Sequence, residues 1–277
     1  MSSGLKQKRN FIPVKARIQK NSKKLDSCLH RNDRLFFGGI TLSMLPSILL
    51  SPSAPFLFQI DPANEWHLLY LKIRDGVISK QEAQPQLRSL EILLKEFYLK
   101  HSNKREEKSI CFPLEGYHAN AIGGKEGSGY RAEGYDFFDG NRHKGHPGHD
   151  IFVRDKDQDG LDDVTKKPVN VISASSGIVV SIKLDWTPSS SIRGGNYLWI
   201  YEPIEGRYYY YAHLIGIIVK IGQIVIRGEH LGTVGRTGKN AYPKRSPTHL
   251  HFTVHRSVEG DPKAINPYME LIKGNCE

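Results

Sequence analysis

The sequence predicts an α+β chain in which a small helical hairpin precedes a mainly antiparallel β domain. Three observations carry this. Apolar residues recur at helical spacing only between residues 61 and 101. From Cys111 onward they fall into short alternating runs, and 22 of the 26 glycines lie beyond residue 110, so the tight turns are concentrated there. With 39% apolar and 25% charged residues over 277 positions, the chain can bury a core, and its composition excludes collagen, coiled coil and polytopic membrane protein.

Residues 1–55 read as an address. Residues 1–34 hold 10 Lys/Arg against 2 Asp/Glu, so most of the net charge of +10 lies there, and the remaining residues are nearly balanced. A basic folded surface is not indicated, and no nucleic-acid partner is expected. An apolar run from Leu35 to Leu50 follows and meets the small residues Ser51 to Ala54. Basic, apolar and small-residue regions in that order describe an export signal, and the run is shorter than the roughly 20 residues of a membrane-crossing helix. Export to the periplasm or cell envelope is expected, with no stable membrane span afterwards. The competing reading is a basic tail joined to a buried apolar segment.

Residues 56–102 form the helical segment. Asp61-Pro62 offers an N-cap with proline at the first helical position, Trp66, Leu69 and Ile73 share one face, and Gly76 supplies a stop. Ser79 with Glu82 marks a capping box, and Leu87, Leu90, Leu94 and Phe97 form the next apolar stripe. Pro85 is expected to delay or bend that helix. The hairpin packs against the next domain or spaces it out. Charged residues 102–109 read as a linker.

Residues 103–277 form the β domain. Val171-Ile172, Gly177 to Val180, Tyr197 to Tyr201, Tyr208 to Leu214, Ile217 to Val219 and Leu250 to Val254 read as strands, with turns at Glu205-Gly206 and Arg227-Gly228. Alternation along Tyr208 to Tyr211 would bury two tyrosines and expose two. Tyr117, Tyr130 and Tyr135 pack loops or wall a groove. Cys111 and Cys276 either bridge the two ends of this domain or remain two buried thiols.

Two histidine motifs lie about 100 residues apart in this domain. His146-Pro147-Gly148-His149-Asp150 sets an imidazole and a carboxylate four residues apart, around a glycine that lets the backbone turn. In His249-Leu250-His251 the two imidazoles lie on one face of a strand. Hydrolytic zinc takes three N and O ligands and keeps one position for water, a set these residues can supply. Neither motif is specific alone.

The surrounding string is more specific. After His146-x-Gly148-x-Asp150 come Ser173 to Val179, Gly195-Asn196-Tyr197, Tyr211-Ala212-His213-Leu214, Val219 to Val225, Gly232 to Gly238 and Thr248 to Phe252, in that order. Over about residues 111–270 the chain resembles the lysostaphin-like, LytM-type zinc metalloendopeptidases that cut peptidoglycan peptides. The resemblance implies an open β-sandwich or groove, and one zinc per chain on His146, Asp150 and His251. It further implies catalytic roles for His213 and His249, which orient or deprotonate zinc-bound water and stabilise the oxyanion. Asn196 matches a position near the substrate groove, and a plain turn residue is its other reading.

Three departures from that family follow. His149 stands before the ligand aspartate where an aliphatic residue is usual; it is a bystander or a substitute for His146, and only His146 keeps the family's three-residue gap to Asp150. Asp155-x-Asp157-x-Asp159-Gly160 resembles the first half of a calcium loop, but the twelfth position is Lys166 where such a loop has Glu, so calcium competes with a solvated acidic turn. Lys239 to Pro247 makes the loop before His249 longer and more basic than the family's.

The expected activity is therefore a zinc endopeptidase, a monomer, hydrolysing amide bonds in cell-wall peptides. The alternative is a catalytically silent LytM-like domain that binds cell wall or activates another wall hydrolase. A nucleic-acid protein acting through Lys6 to Arg34 would bind with steep salt dependence.

Overall fold

Residues 61–102, 110–274 and 276 are described by the structure, a computed structural model. The export signal and basic tail expected within residues 1–55, and most of the linker expected over residues 102–109, lie outside the described residues.

Helix α1 (Pro62–Asp75) starts where Asp61 accepts the amides of Ala63 and Asn64, and stops at Gly76 in the left-handed conformation, φ 69°. Helix α2 (Lys80–His101) begins with the expected capping box, Ser79 and Glu82 each bonding the other's backbone amide. Pro85 neither delays nor interrupts α2. It falls in the second turn, where the ring removes a single backbone donor and the capped first turn is already set.

Among the described residues ten strands follow: β1 (Gly148–Phe152), β2 (Asn170–Ile172), β3 (Gly177–Lys183), β4 (Tyr197–Glu202), β5 (Arg207–Ala212), β6 (Leu214–Ile217), β7 (Ile224–Val225), β8 (His230–Val234), β9 (His249–Val258) and β10 (Asp261–Ile265). A short helix, α3 (Tyr268–Leu271), closes the order. All pairings are antiparallel. The main sheet runs β1-β9-β5-β4-β3-β7, with β10 beside the second half of β9, and a smaller sheet runs β2-β8-β6. This is the α+β class the sequence predicts. Both expected turns are present, with Gly206 and Gly228 at φ 65° and 81°. The strand expected over Ile217 to Val219 lies earlier, as β6.

Alternation along the strands sorts the core into two faces. Val179, Leu198, Ile200, Tyr209, Tyr211, Leu250, Phe252 and Val254 share a cluster with Val171, Leu214, Leu231 and Val234 of the smaller sheet. Ile178, Val180, Trp199, Tyr201 and Tyr208 point the other way, into a cluster with Trp66, Tyr70, Ile73, Leu87 and Leu94 of the hairpin. Trp66 stacks on Tyr70 with ring centroids 5.3 Å apart and donates to the Tyr208 hydroxyl at 3.0 Å.

The expectation for Tyr208 to Tyr211 is corrected by this layering. Tyr208, Tyr209 and Tyr211 are all buried and only Tyr210 is partly exposed, because helices cover one face of the strand and the smaller sheet covers the other. A disulfide joins Cys111 to Cys276 across 165 positions and ties the two ends of the β domain together. Among the described residues no helix is long and apolar enough to cross a membrane.

Candidate metal centre

Strand register assembles the site. In the β1–β9 pair Asp150 lies directly opposite His251, and Phe152 opposite His249. Directly opposed residues share a face, so the pairing sets the carboxylate beside the imidazole although 101 positions separate them. Period two then adds His249 to the same face. His255 is also on this face, but further along β9, where it is buried under the hairpin side of the sheet. The helices cover that end and leave the His251 end open.

His146 reaches the cluster from the segment just before β1, where its backbone pairs with Arg131 in both directions. His146 Nε2, Asp150 Oδ1 and His251 Nδ1 form a nearly equilateral triangle with sides of 3.2, 3.0 and 3.1 Å. The edge of a tetrahedron around zinc, with bonds of about 2.0–2.1 Å, is about 3.3 Å. Side chains of His146 and Asp150 are 36% and 30% exposed, so the triangle opens to solvent.

Each imidazole is oriented from behind. His146 Nδ1 lies 2.8 Å from the Gly129 carbonyl, His249 Nδ1 2.7 Å from that of Pro247, and His213 Nδ1 2.8 Å from that of Thr237. A carbonyl only accepts, so each of these Nδ1 atoms carries the hydrogen and each neutral ring has a bare Nε2. His251 Nε2 is held by Thr253 Oγ1 at 3.0 Å, and Nδ1 faces the triangle. Two imidazole nitrogens and a carboxylate oxygen thus converge at hydrogen-bond distance, and all three can act as acceptors when His251 Nε2 donates to the Thr253 hydroxyl. A divalent cation is the group this donor set fits.

The electrostatics agree. Burial works to raise the Asp150 carboxyl, but the His146 and His251 imidazoles against it, with the charge they can carry, outweigh burial and hold the group well below the usual carboxylate range. Burial lowers His146, and the bond to Asp150 with its charge more than restores it, so positive charge is favoured at this corner. Burial lowers His251. His213 is pushed down to about 3, by burial first and then by His249 and His251.

His213 and His249 flank the triangle. Their ring centroids are 4.8 Å apart, and His249 Nε2 lies 3.7 Å from Asp150 Oδ1. His213 sits at the break between β5 and β6 with φ 67°, a left-handed conformation costing a non-glycine residue about 1 kcal/mol. Backbone bonds on both sides hold it there, its amide to the Gly194 carbonyl and its carbonyl to the Gly235 amide. Gly238, at φ 102°, runs so close that a Cβ there would come within 2.8 Å of His213 Nδ1.

Other sequence candidates fall in different places. His149 is fully buried on the opposite face of β1, with Nε2 2.9 Å from Asn266 Oδ1, so it does not substitute for His146. Gly148 is not a turn: it lies in β1 without a positive φ, and a Cβ there would meet the Phe252 carbonyl oxygen at 2.4 Å, so close strand approach is what requires glycine. Asn196 is buried and accepts the Trp186 amide through Oδ1, latching the loop before β4. That loop packs Trp186 at a tilt against Tyr242 of the Lys239 to Pro247 segment, with ring centroids 5.5 Å apart. Tyr117, Tyr130 and Tyr135 pack loops, against Arg154, His149 and His255. Asp155, Asp157 and Asp159 lie together in the loop after β1. The partner the sequence reading missed is Thr253, which the same period-two rule would have placed behind His251.

Residues 156–267 match the model of peptidase family M23, a span that contains His213, His249 and His251 and begins after His146 and Asp150. Among solved structures, the chain is similar to a zinc-containing peptidase from Vibrio cholerae, with 25% identity over 57% of this chain and 39% of that one and a TM-score of 0.37. It is similar to the antimicrobial peptidase lysostaphin from Staphylococcus simulans, with 26% identity over 46% of this chain and 44% of that one and a TM-score of 0.32. The chain therefore spans less than half the length of either. No curated protein matches it. Over residues 156–267, then, the β domain is similar to peptidase family M23.

Proposed function

We propose that this protein is a zinc-dependent endopeptidase that hydrolyses amide bonds in peptidoglycan peptides, with one zinc per chain on His146, Asp150 and His251. The observation that carries the reading is the open triangle of acceptor atoms with two further imidazoles beside it. The match of residues 156–267 to peptidase family M23 supports the reaction class. Zinc supplies a Lewis acid for the scissile carbonyl and lowers the pKa of water toward ~7.

The chain's own residues do the rest. His213 stays neutral at physiological pH, since its pKa is pushed down to about 3, and its bare Nε2 can accept a hydrogen bond from water. His249 offers a second bare Nε2 on the same side. One of the two accepts the proton of the attacking water; either, once protonated, donates to the developing oxyanion or the leaving amine. The Pro247 and Thr237 carbonyls fix both rings before substrate arrives.

We place this activity in the cell envelope. The Cys111–Cys276 disulfide supports that placement, because such bonds persist in oxidising compartments.

Mass spectrometry of purified wall fragments tests the reading and identifies the bond. Wild-type protein should release new amino termini, and His249→Ala should keep its zinc while turnover falls by about 10²- to 10⁴-fold. Zinc-loaded wild type that binds the wall and cuts nothing would contradict the enzyme and leave the silent wall-binding domain.

A further inference from the structure

A second cluster of ligand atoms lies outside the zinc triangle, in the loop after β1. Asp155, Asp157 and Asp159 each bring one carboxylate oxygen to within 4.8 Å of the others. Among the described residues no ion pair reaches any of the three. Asp157 and Asp159 are exposed, so solvent screens part of their repulsion. Asp155 differs: it is only 5% exposed.

Its two oxygens are treated unequally. Oδ2 accepts from the Gly160 amide at 3.2 Å and from Thr248 Oγ1 at 2.6 Å. Oδ1 is buried with no hydrogen-bond partner. A buried carboxylate oxygen without a donor or a cation is costly, because its desolvation is left uncompensated. Two further carboxylates lie within reach of the same side chain, and a cation is the group that compensates all three.

We propose that Asp155, Asp157 and Asp159 bind one calcium ion. The ligand set is oxygen alone, without imidazole or thiolate, which selects a hard cation over zinc. Three carboxylates on a loop suit the larger, geometrically tolerant ion better than magnesium, which demands a near-ideal octahedron. Lys166 stands where a full calcium loop has its bidentate glutamate, so affinity falls in the range of extracellular modules, on the order of 10⁻⁴ M.

The position gives the ion a purpose. Thr248 is buried between Asp155 and Arg236 Nη1, and it immediately precedes His249. Gln158, inside the acidic loop, donates to the carbonyls of Lys244 and Ser246. A calcium ion on the three aspartates therefore braces the segment that leads into His249, and it does so without touching the zinc triangle.

Titrating calcium chloride into zinc-saturated full-length protein, with uptake read by calorimetry and Tm by thermal unfolding, tests this. Wild type should take up one calcium per chain and melt at higher temperature with it. The double variant Asp157→Asn/Asp159→Asn, which alters exposed residues only, should lose at least about tenfold in calcium affinity and keep its zinc. His251→Ala should still bind calcium. Absence of saturable uptake by wild type up to about 10 mM, equal uptake by the double variant, or loss of uptake in His251→Ala would each overturn the proposal.

Discussion

Thr253 Oγ1 lies 3.0 Å from His251 Nε2, and the β strand puts the two side chains on one face with a single residue between them. The hydroxyl fixes the ring so that Nδ1, not Nε2, meets Asp150. A partner behind a metal-binding histidine tunes affinity without touching the metal. Thr253→Val keeps the shape and removes the hydrogen bond, and zinc affinity should fall by about 10- to 100-fold in competition with a chromophoric chelator. Unchanged affinity would mean that the ring is held by packing alone.

Acid should unfold the protein partly through His255. Burial pushes this imidazole down to about 3, with His143 and His251 adding to the effect, while the unfolded chain titrates near 6.5. Above pH 6.5 both states are neutral and the contribution is complete. As pH falls from 6.5 toward 3 the unfolded state takes up a proton that the folded state refuses, so stability drops by on the order of 1 kcal/mol per pH unit from this residue. Urea unfolding at pH 7 and pH 5 should show that loss in wild type and a shallower one in His255→Gln.

The hairpin is part of the core. Trp66 is fully buried between Tyr70, Trp199 and Tyr208. Trp66→Ala should lower stability by about 3–5 kcal/mol, measured by chemical denaturation of the whole chain. A spacer that merely separated two domains would tolerate the change.

The sequence made parts of this site readable because they are local. His249 and His251 share a face by strand period alone, and Asp61, Gly76, Ser79 and Glu82 set helix ends through contacts a few residues long. The opposition of Asp150 to His251 depends on which strands pair, a non-local fact that spacing does not carry; it was reachable through resemblance to a family. Tyr208 to Tyr211 shows the same limit. Alternation sorts the four into two faces correctly, but whether a face meets water depends on layers built from distant residues, here Trp66 on one side and Leu231 on the other. Strands β7 and β8 carry little sequence signal, because β7 is only two residues long and Gly232 interrupts the apolar pattern of β8. The strand β1 alone separates His149 from the site, since it adjoins Asp150 and neighbours on a strand face opposite ways.

Elemental analysis of purified full-length protein, wild type beside His251→Ala, bears most directly on the triangle formed by His146, Asp150 and His251. Wild type should carry about one zinc per chain and the variant should lose most of it, because removing one corner leaves a two-ligand site. Zinc absent from wild type, or retained in full by His251→Ala, would show that the three side chains do not share an ion.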